Sequence, residues 1–137
     1  MFGNTRIRWG WLRFMYLYTI VGAGAFGLGI VFAPNRMISL FGWPKQDPIM
    51  LGIAGSVFIA FAVVSALGLR SPLKFAPILL LQLCYKLIWL IGVIAPPLIS
   101  GRLPSHAVLP TVVFVTYVVG DLIAVPFSHI LEREPHQ

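Results

Sequence analysis

Four apolar runs divide the chain, covering about residues 11–32, 49–69, 73–95 and 107–130. None shows the strict apolar–polar alternation of a half-buried strand. Each reaches the roughly 20 residues that a helix needs to cross a hydrocarbon core. A chain in lipid must satisfy its backbone groups internally, so these runs predict helices. The breaks coincide with turn formers: Ala33-Pro34-Asn35, Arg70-Ser71-Pro72, and Pro96-Pro97 through Pro104. Ser71 followed by Pro72 predicts an N-cap and first turn for the third helix. Between the first two runs, Met37, Ile38, Leu40, Phe41 and Trp43 lie beside Arg36, Ser39 and Lys45. That mixture predicts a short turn lying in the membrane interface. The expected architecture is all-α: one transmembrane domain over residues 1–137, a four-helix bundle with an interfacial turn between helices one and two.

Small residues mark the faces on which helices can approach. The first run carries Gly22, Ala23, Gly24, Ala25, Gly27 and Gly29; the second carries Gly52, Gly55, Ser56, Ala60, Ser65, Ala66 and Gly68. Pairs four apart, Ala25/Gly29 and Gly52/Ser56/Ala60, permit close backbone contact. They predict packing between helices one and two or against a partner subunit.

Composition agrees with a membrane setting. The chain is 58% hydrophobic and 10% charged, against about a quarter charged in soluble domains. The net charge of +6 does not imply nucleic acid. Arg6, Arg8, Arg13, Arg70 and Lys74 flank the apolar runs, where cations meet lipid headgroups. Those residues and Arg133 fall on one side of the bilayer, Arg36, Lys45 and Arg102 on the other. The positive-inside rule then places both termini in the cytoplasm. The first run has a basic front but is too long for a signal-peptide core, so it is expected to persist as an anchor helix.

The third run holds a costly residue. Lys86 lies within Ile78–Ile91, and a charge at mid-bilayer costs roughly 2.5–3.5 kcal/mol on insertion scales. Gln82, Tyr85, Lys86 and Trp89 share one helical face at i, i+3, i+4 and i+7. In the fourth run Tyr117 and Asp121 share another. Polar stripes on membrane helices face the bundle interior. Lys86 stands about ten residues from the intervening loop and Asp121 about fourteen, roughly 6 Å apart in depth. The spacing predicts a Lys86–Asp121 ion pair supported by Tyr85, Gln82 and Tyr117. Pro126 frees the carbonyl of Leu122, a further candidate for the site.

Three uses fit such a pair. It can fix helix neighbours and register in a non-catalytic subunit or scaffold, associated with itself or with a larger membrane complex. It can floor a cavity for a lipophilic molecule, a quinone or lipid, walled by Trp89, Tyr85 and Tyr117. It can carry protons or ions, although one couple in four helices is a thin path. Conventional catalysis finds no residues. His106, His129 and His136 are scattered, Cys84 stands alone, and neither a metal-ligand spacing nor a phosphate loop is present. No catalytic residue, metal or resident cofactor is assigned.

The Ala33-Pro34 end of the first helix, the segment Asn35-Arg36-Met37-Ile38-Ser39-Leu40-Phe41-Gly42, the small-residue second helix and the two further spans resemble the DoxX-like group. These are small four-helix proteins of the bacterial inner membrane. The resemblance implies that location and, because some members are subunits of quinone-linked thiosulfate oxidation, a quinone-associated accessory role. It transfers no catalytic residue: neither Tyr85-Lys86-Leu87-Ile88-Trp89 nor Gly120-Asp121-Leu122-Ile123 maps onto that chemistry.

Overall fold

A computed structural model describes residues 7–135; Arg6 and His136 lie outside them. The elements are α1 (Trp9–Phe32), α2 (Pro34–Phe41), α3 (Pro48–Arg70), α4 (Pro77–Trp89), a π-helical turn (Leu90–Ile94), α5 (Ala95–Ile99), α6 (Val108–Ala124) and α7 (Phe127–Ile130), with a 3₁₀ turn at Ser105–Ala107. Four helical stretches are long and apolar enough to cross a membrane: α1, α3, the continuous segment Pro77–Ile99, and Ser105–Ala124. The chain is therefore a multi-pass, all-helical membrane bundle among the described residues.

Prolines set most of the boundaries. Pro34 starts α2 at its first turn, where a missing N–H costs nothing, and Gly42 ends it with φ 66°, a left-handed conformation that suits glycine. The expected interfacial turn is thus a two-turn helix. Phe41 stacks on Phe26 of α1 at 5.1 Å, and Met37 fills the space over Gly29. Asp47 caps α3 by accepting the Ile49 N–H at 3.0 Å, with Pro48 as the first helical residue.

Three expected boundaries are corrected. The third membrane-spanning helix does not begin at Ser71-Pro72. Residues 72–76 form turns, and α4 starts at Pro77, whose missing N–H breaks the ladder there. At the other end Pro96-Pro97 does not stop the helix. The backbone widens into a π turn in which the Ala95 N–H bonds the Leu90 carbonyl, five residues back. The wider turn relieves the clash that two prolines impose on an α-helix, and Ser100 donates to the carbonyls of Pro96 and Pro97 at 3.1 and 3.2 Å. Finally, α6 ends at Ala124 instead of running to residue 130. Val125, held extended before Pro126 (ψ 125°), turns the chain into the short α7. Arg8 donates to the Ile123 carbonyl at 3.3 Å, so a residue preceding α1 closes the end of α6.

The closest helix pair is α1 with α3. A Cβ on Gly27 would stand 2.7 Å from the Gly55 carbonyl oxygen, so glycine is required for that backbone approach. Gly24 faces Ala62, and the Tyr16 ring covers Gly68. The small-residue faces thus pack one register away from the expected pairs. Gly22 lies against the Tyr117 hydroxyl and Gly29 against Met37, whereas Ala25, Ser56 and Ala60 are exposed and Gly52 opens onto unfilled space. Around the bundle α3 neighbours α1, α1 neighbours α6, and α6 neighbours α4. The core at the α1, α4 and α6 junction contains Leu12, Met15, Tyr16, Leu79, Tyr117 and Ala124.

Candidate polar site within the helix bundle

Among the described residues, five buried polar side chains occupy the interior: Thr19 on α1, Ser65 on α3, Gln82 and Lys86 on α4, and Asp121 on α6. Their positions follow from helical spacing, because Gln82 and Lys86 are one turn apart and face α6. Gln82 Nε2 donates to both carboxylate oxygens of Asp121, at 3.1 Å to Oδ2 and 3.3 Å to Oδ1. A carboxylate only accepts, so this contact orients the amide. The same nitrogen donates to Thr19 Oγ1 at 3.3 Å, and the Thr19 hydroxyl donates to the Met15 carbonyl at 2.8 Å. One glutamine amide thereby ties α1, α4 and α6 together.

Lys86 occupies a different environment one turn away. Its ammonium donates to the Tyr85 hydroxyl at 2.9 Å. It also lies over three rings, 3.9 Å from the centroid of Phe114, 4.3 Å from Tyr117 and 4.7 Å from Tyr85. Ring faces carry negative quadrupole density, and desolvation makes each such contact worth more than at a surface. The cage is buttressed on every side. Tyr85 packs against Phe61 of α3 at 5.2 Å and meets Phe114 edge-on at 6.0 Å. Trp89 closes on Phe114 at 4.8 Å. Tyr117 stacks on Tyr18 of α1 at 4.2 Å and donates to the Tyr18 carbonyl at 3.0 Å.

The expected Lys86–Asp121 ion pair is accordingly not a contact: no nitrogen–oxygen approach of 4.0 Å or less joins the two. The physical reason lies in their offset in depth. On antiparallel neighbours, Gln82 is the α4 residue level with Asp121, while Lys86 is level with Tyr117 and Phe114. The glutamine fills the gap that the lysine stem was expected to span. Both charges are sealed from solvent, with Lys86 2% and Asp121 0% exposed.

All six expected site residues do converge, with Trp89 behind the cage instead of beside the ammonium. Three participants escaped the sequence reading. Phe114 is the closest ring to Lys86, and its position seven before Asp121 and three before Tyr117 was a usable signal. Thr19, alone among apolar neighbours, was another. The third, Ser65, reads by its small size as a packing residue, yet its hydroxyl is fully buried and has no hydrogen-bond partner among the described residues. Tyr16 covers Gly68 on one side of it and Gly24 faces Ala62 on the other, which puts Ser65 level with Thr19. The freed Leu122 carbonyl is not part of this network; Leu122 itself is exposed.

Among the described residues no group of His, Cys, Asp or Glu is arranged to hold a metal, and Cys84 is exposed. No protein-family model, curated protein or solved structure matches the chain.

Proposed function

We propose that the chain is a non-catalytic subunit or scaffold of a membrane complex, formed with partner subunits or with further copies of itself. One observation carries this reading: the charged groups in the interior are engaged by the chain's own side chains. Three rings and a hydroxyl surround Lys86, and an amide from another helix holds Asp121. Buried polar networks of this kind contribute little net stability but specify which helices meet and at what level. The site then acts as a register device and leaves the lipid-facing surfaces for association. The setting proposed with it is the bacterial inner membrane, both termini cytoplasmic, with the DoxX-like group as the family.

Native mass spectrometry of gently solubilised protein tests the proposal. A stoichiometric partner or a defined self-oligomer is expected. A monomer carrying a quinone would overturn it. The Lys86→Met/Asp121→Asn double variant, which removes both charges together, is expected to disturb assembly. Intact assembly with loss of a bound ligand would refute the structural role.

A second reading rests on Ser65. A buried hydroxyl without a partner loses roughly 1–3 kcal/mol unless a guest satisfies it. The polar end of a quinone or lipid entering beside Thr19 and Gln82 would do so, and would make the chain a lipophilic-ligand binder, including a subunit of a quinone-linked oxidoreductase. Extraction of the purified protein with organic solvent, followed by mass spectrometry, checks for that guest.

A further inference from the structure

Away from the polar site, a groove of about 490 Å³ opens toward lipid between the end of α1 and the start of α3. Its volume falls within the range of small-molecule sites, roughly 300–1,000 Å³. Ile30, Val31, Ile49 and Ile53 form its walls, and Gly52 and Ser56 lie in its lining. The small residues create the space, since a Cβ on Gly52 would meet nothing within 4 Å. Ser56 donates to the Gly52 carbonyl at 2.8 Å, which satisfies the polar groups here within the helix. What remains is an apolar slot between the ends of two membrane-spanning helices.

The rim of that slot is cationic. Pro34 lines the groove, and the next residues, Asn35 and Arg36, lie with Ser39 and Leu40 along the open, shallow outer face of α2. Arg36 is exposed and makes no hydrogen bond to another described residue. A guanidinium flanked by an amide and a hydroxyl matches a phosphodiester, which it can grip through two parallel N–H donors.

We propose that this groove and rim form a binding site for one anionic glycerophospholipid, with an acyl chain between α1 and α3 and the phosphate on Arg36, Asn35 and Ser39. Charge complementarity selects lipid over a second copy of the chain. The acidic residues are Asp47, Asp121, Glu132 and Glu134. Asp47 gives one carboxylate oxygen to the cap of α3, Asp121 is buried, and the two glutamates follow α7 at the opposite membrane surface. A parallel second copy therefore offers Arg36 at most the remaining oxygen of one capping carboxylate, whereas an anionic bilayer offers many phosphates at that depth.

The test is native mass spectrometry of the full-length protein with equal amounts of phosphatidylglycerol and phosphatidylcholine. The wild type is expected to retain phosphatidylglycerol about fivefold better, the ratio that follows from the roughly 1 kcal/mol a basic residue contributes at an anionic surface. Arg36→Gln, at an exposed position outside the helix contacts, should bring the two lipids to parity. Gly52→Leu with Ser56→Leu should lower retention of both by filling the slot. Equal retention by the wild type, an unchanged preference in Arg36→Gln, or a lipid-free dimer would overturn the proposal. Equally tight binding of glycerol phosphate without acyl chains would overturn it too.

Discussion

Gln82 on α4 grips both oxygens of Asp121 on α6, at 3.1 and 3.3 Å, and so stands where a lysine was expected. The consequence is a separation of charges. The buried carboxylate is held by a neutral amide, and the buried ammonium by aromatic faces one turn further along.

That arrangement makes Gln82 more consequential than its lack of charge suggests. Gln82→Leu leaves Asp121 buried without its donor, a loss of about 1–3 kcal/mol and more where the group is charged. Measured as a fall in the unfolding midpoint in micelles, the effect should shrink when Asp121→Leu is added, because the second change removes the orphaned group. A coupling of at least about 0.5 kcal/mol is expected between the two sites.

Phe114 offers the complementary test on the lysine. Its ring centroid is the closest to the ammonium, at 3.9 Å, and a desolvated cation–π contact is worth about 2 kcal/mol. Phe114→Leu preserves much of the apolar volume while removing the quadrupole. It should destabilise the wild type by more than it destabilises a Lys86→Met background, as read by thermal unfolding of the two pairs. Equal losses in both backgrounds would mean that Phe114 acts by packing alone.

The four spans and the interior direction of the polar stripes were legible in the sequence, because length and helical spacing alone determine them. The partner of each charge was not. Depth counting put Lys86 and Asp121 one turn apart, but could not say whether a flexible stem or a neighbouring side chain would fill the step. Gln82 is shorter and already level with Asp121, and it reaches the carboxylate directly. The helix ends failed for a related reason. Pro96-Pro97 reads as a stop, yet a π turn lets the helix continue, and this adjustment depends on the whole segment and not on the dipeptide. At Pro126 the same residue type does end the helix, with Val125 already extended.

Which glycines matter was also hidden, since small-residue spacing permits several registers. Gly27 and Gly55 make the backbone approach of α1 to α3, while Gly52 stands free. Gly27→Leu should therefore cost about 1–3 kcal/mol by overpacking, whereas Gly52→Leu should stay within about 0.5 kcal/mol of the wild type. Thermal unfolding of the two single variants in the same detergent decides between this register and the Gly52/Ser56/Ala60 alternative.

The turn between α3 and α4 provides the last test, because a side chain from α1 holds it. The Tyr16 hydroxyl donates to the Pro72 carbonyl at 2.6 Å, while the Tyr16 ring covers Gly68 at the end of α3. The turn itself has few backbone bonds, among them Phe75 N–H to the Ser71 carbonyl at 3.2 Å and Ala76 N–H to the Leu73 carbonyl at 3.4 Å. The first is at the upper end of the range for such bonds and the second is beyond it, so the tether from α1 adds to the ordering of the turn. Tyr16→Phe keeps the ring and deletes only the donor, at a cost of about 0.5–1.5 kcal/mol. Hydrogen–deuterium exchange should then quicken at Phe75 and Ala76 while the centre of α1 stays protected. Unchanged exchange in the turn would show that ring packing over Gly68, not the hydroxyl, holds it in place.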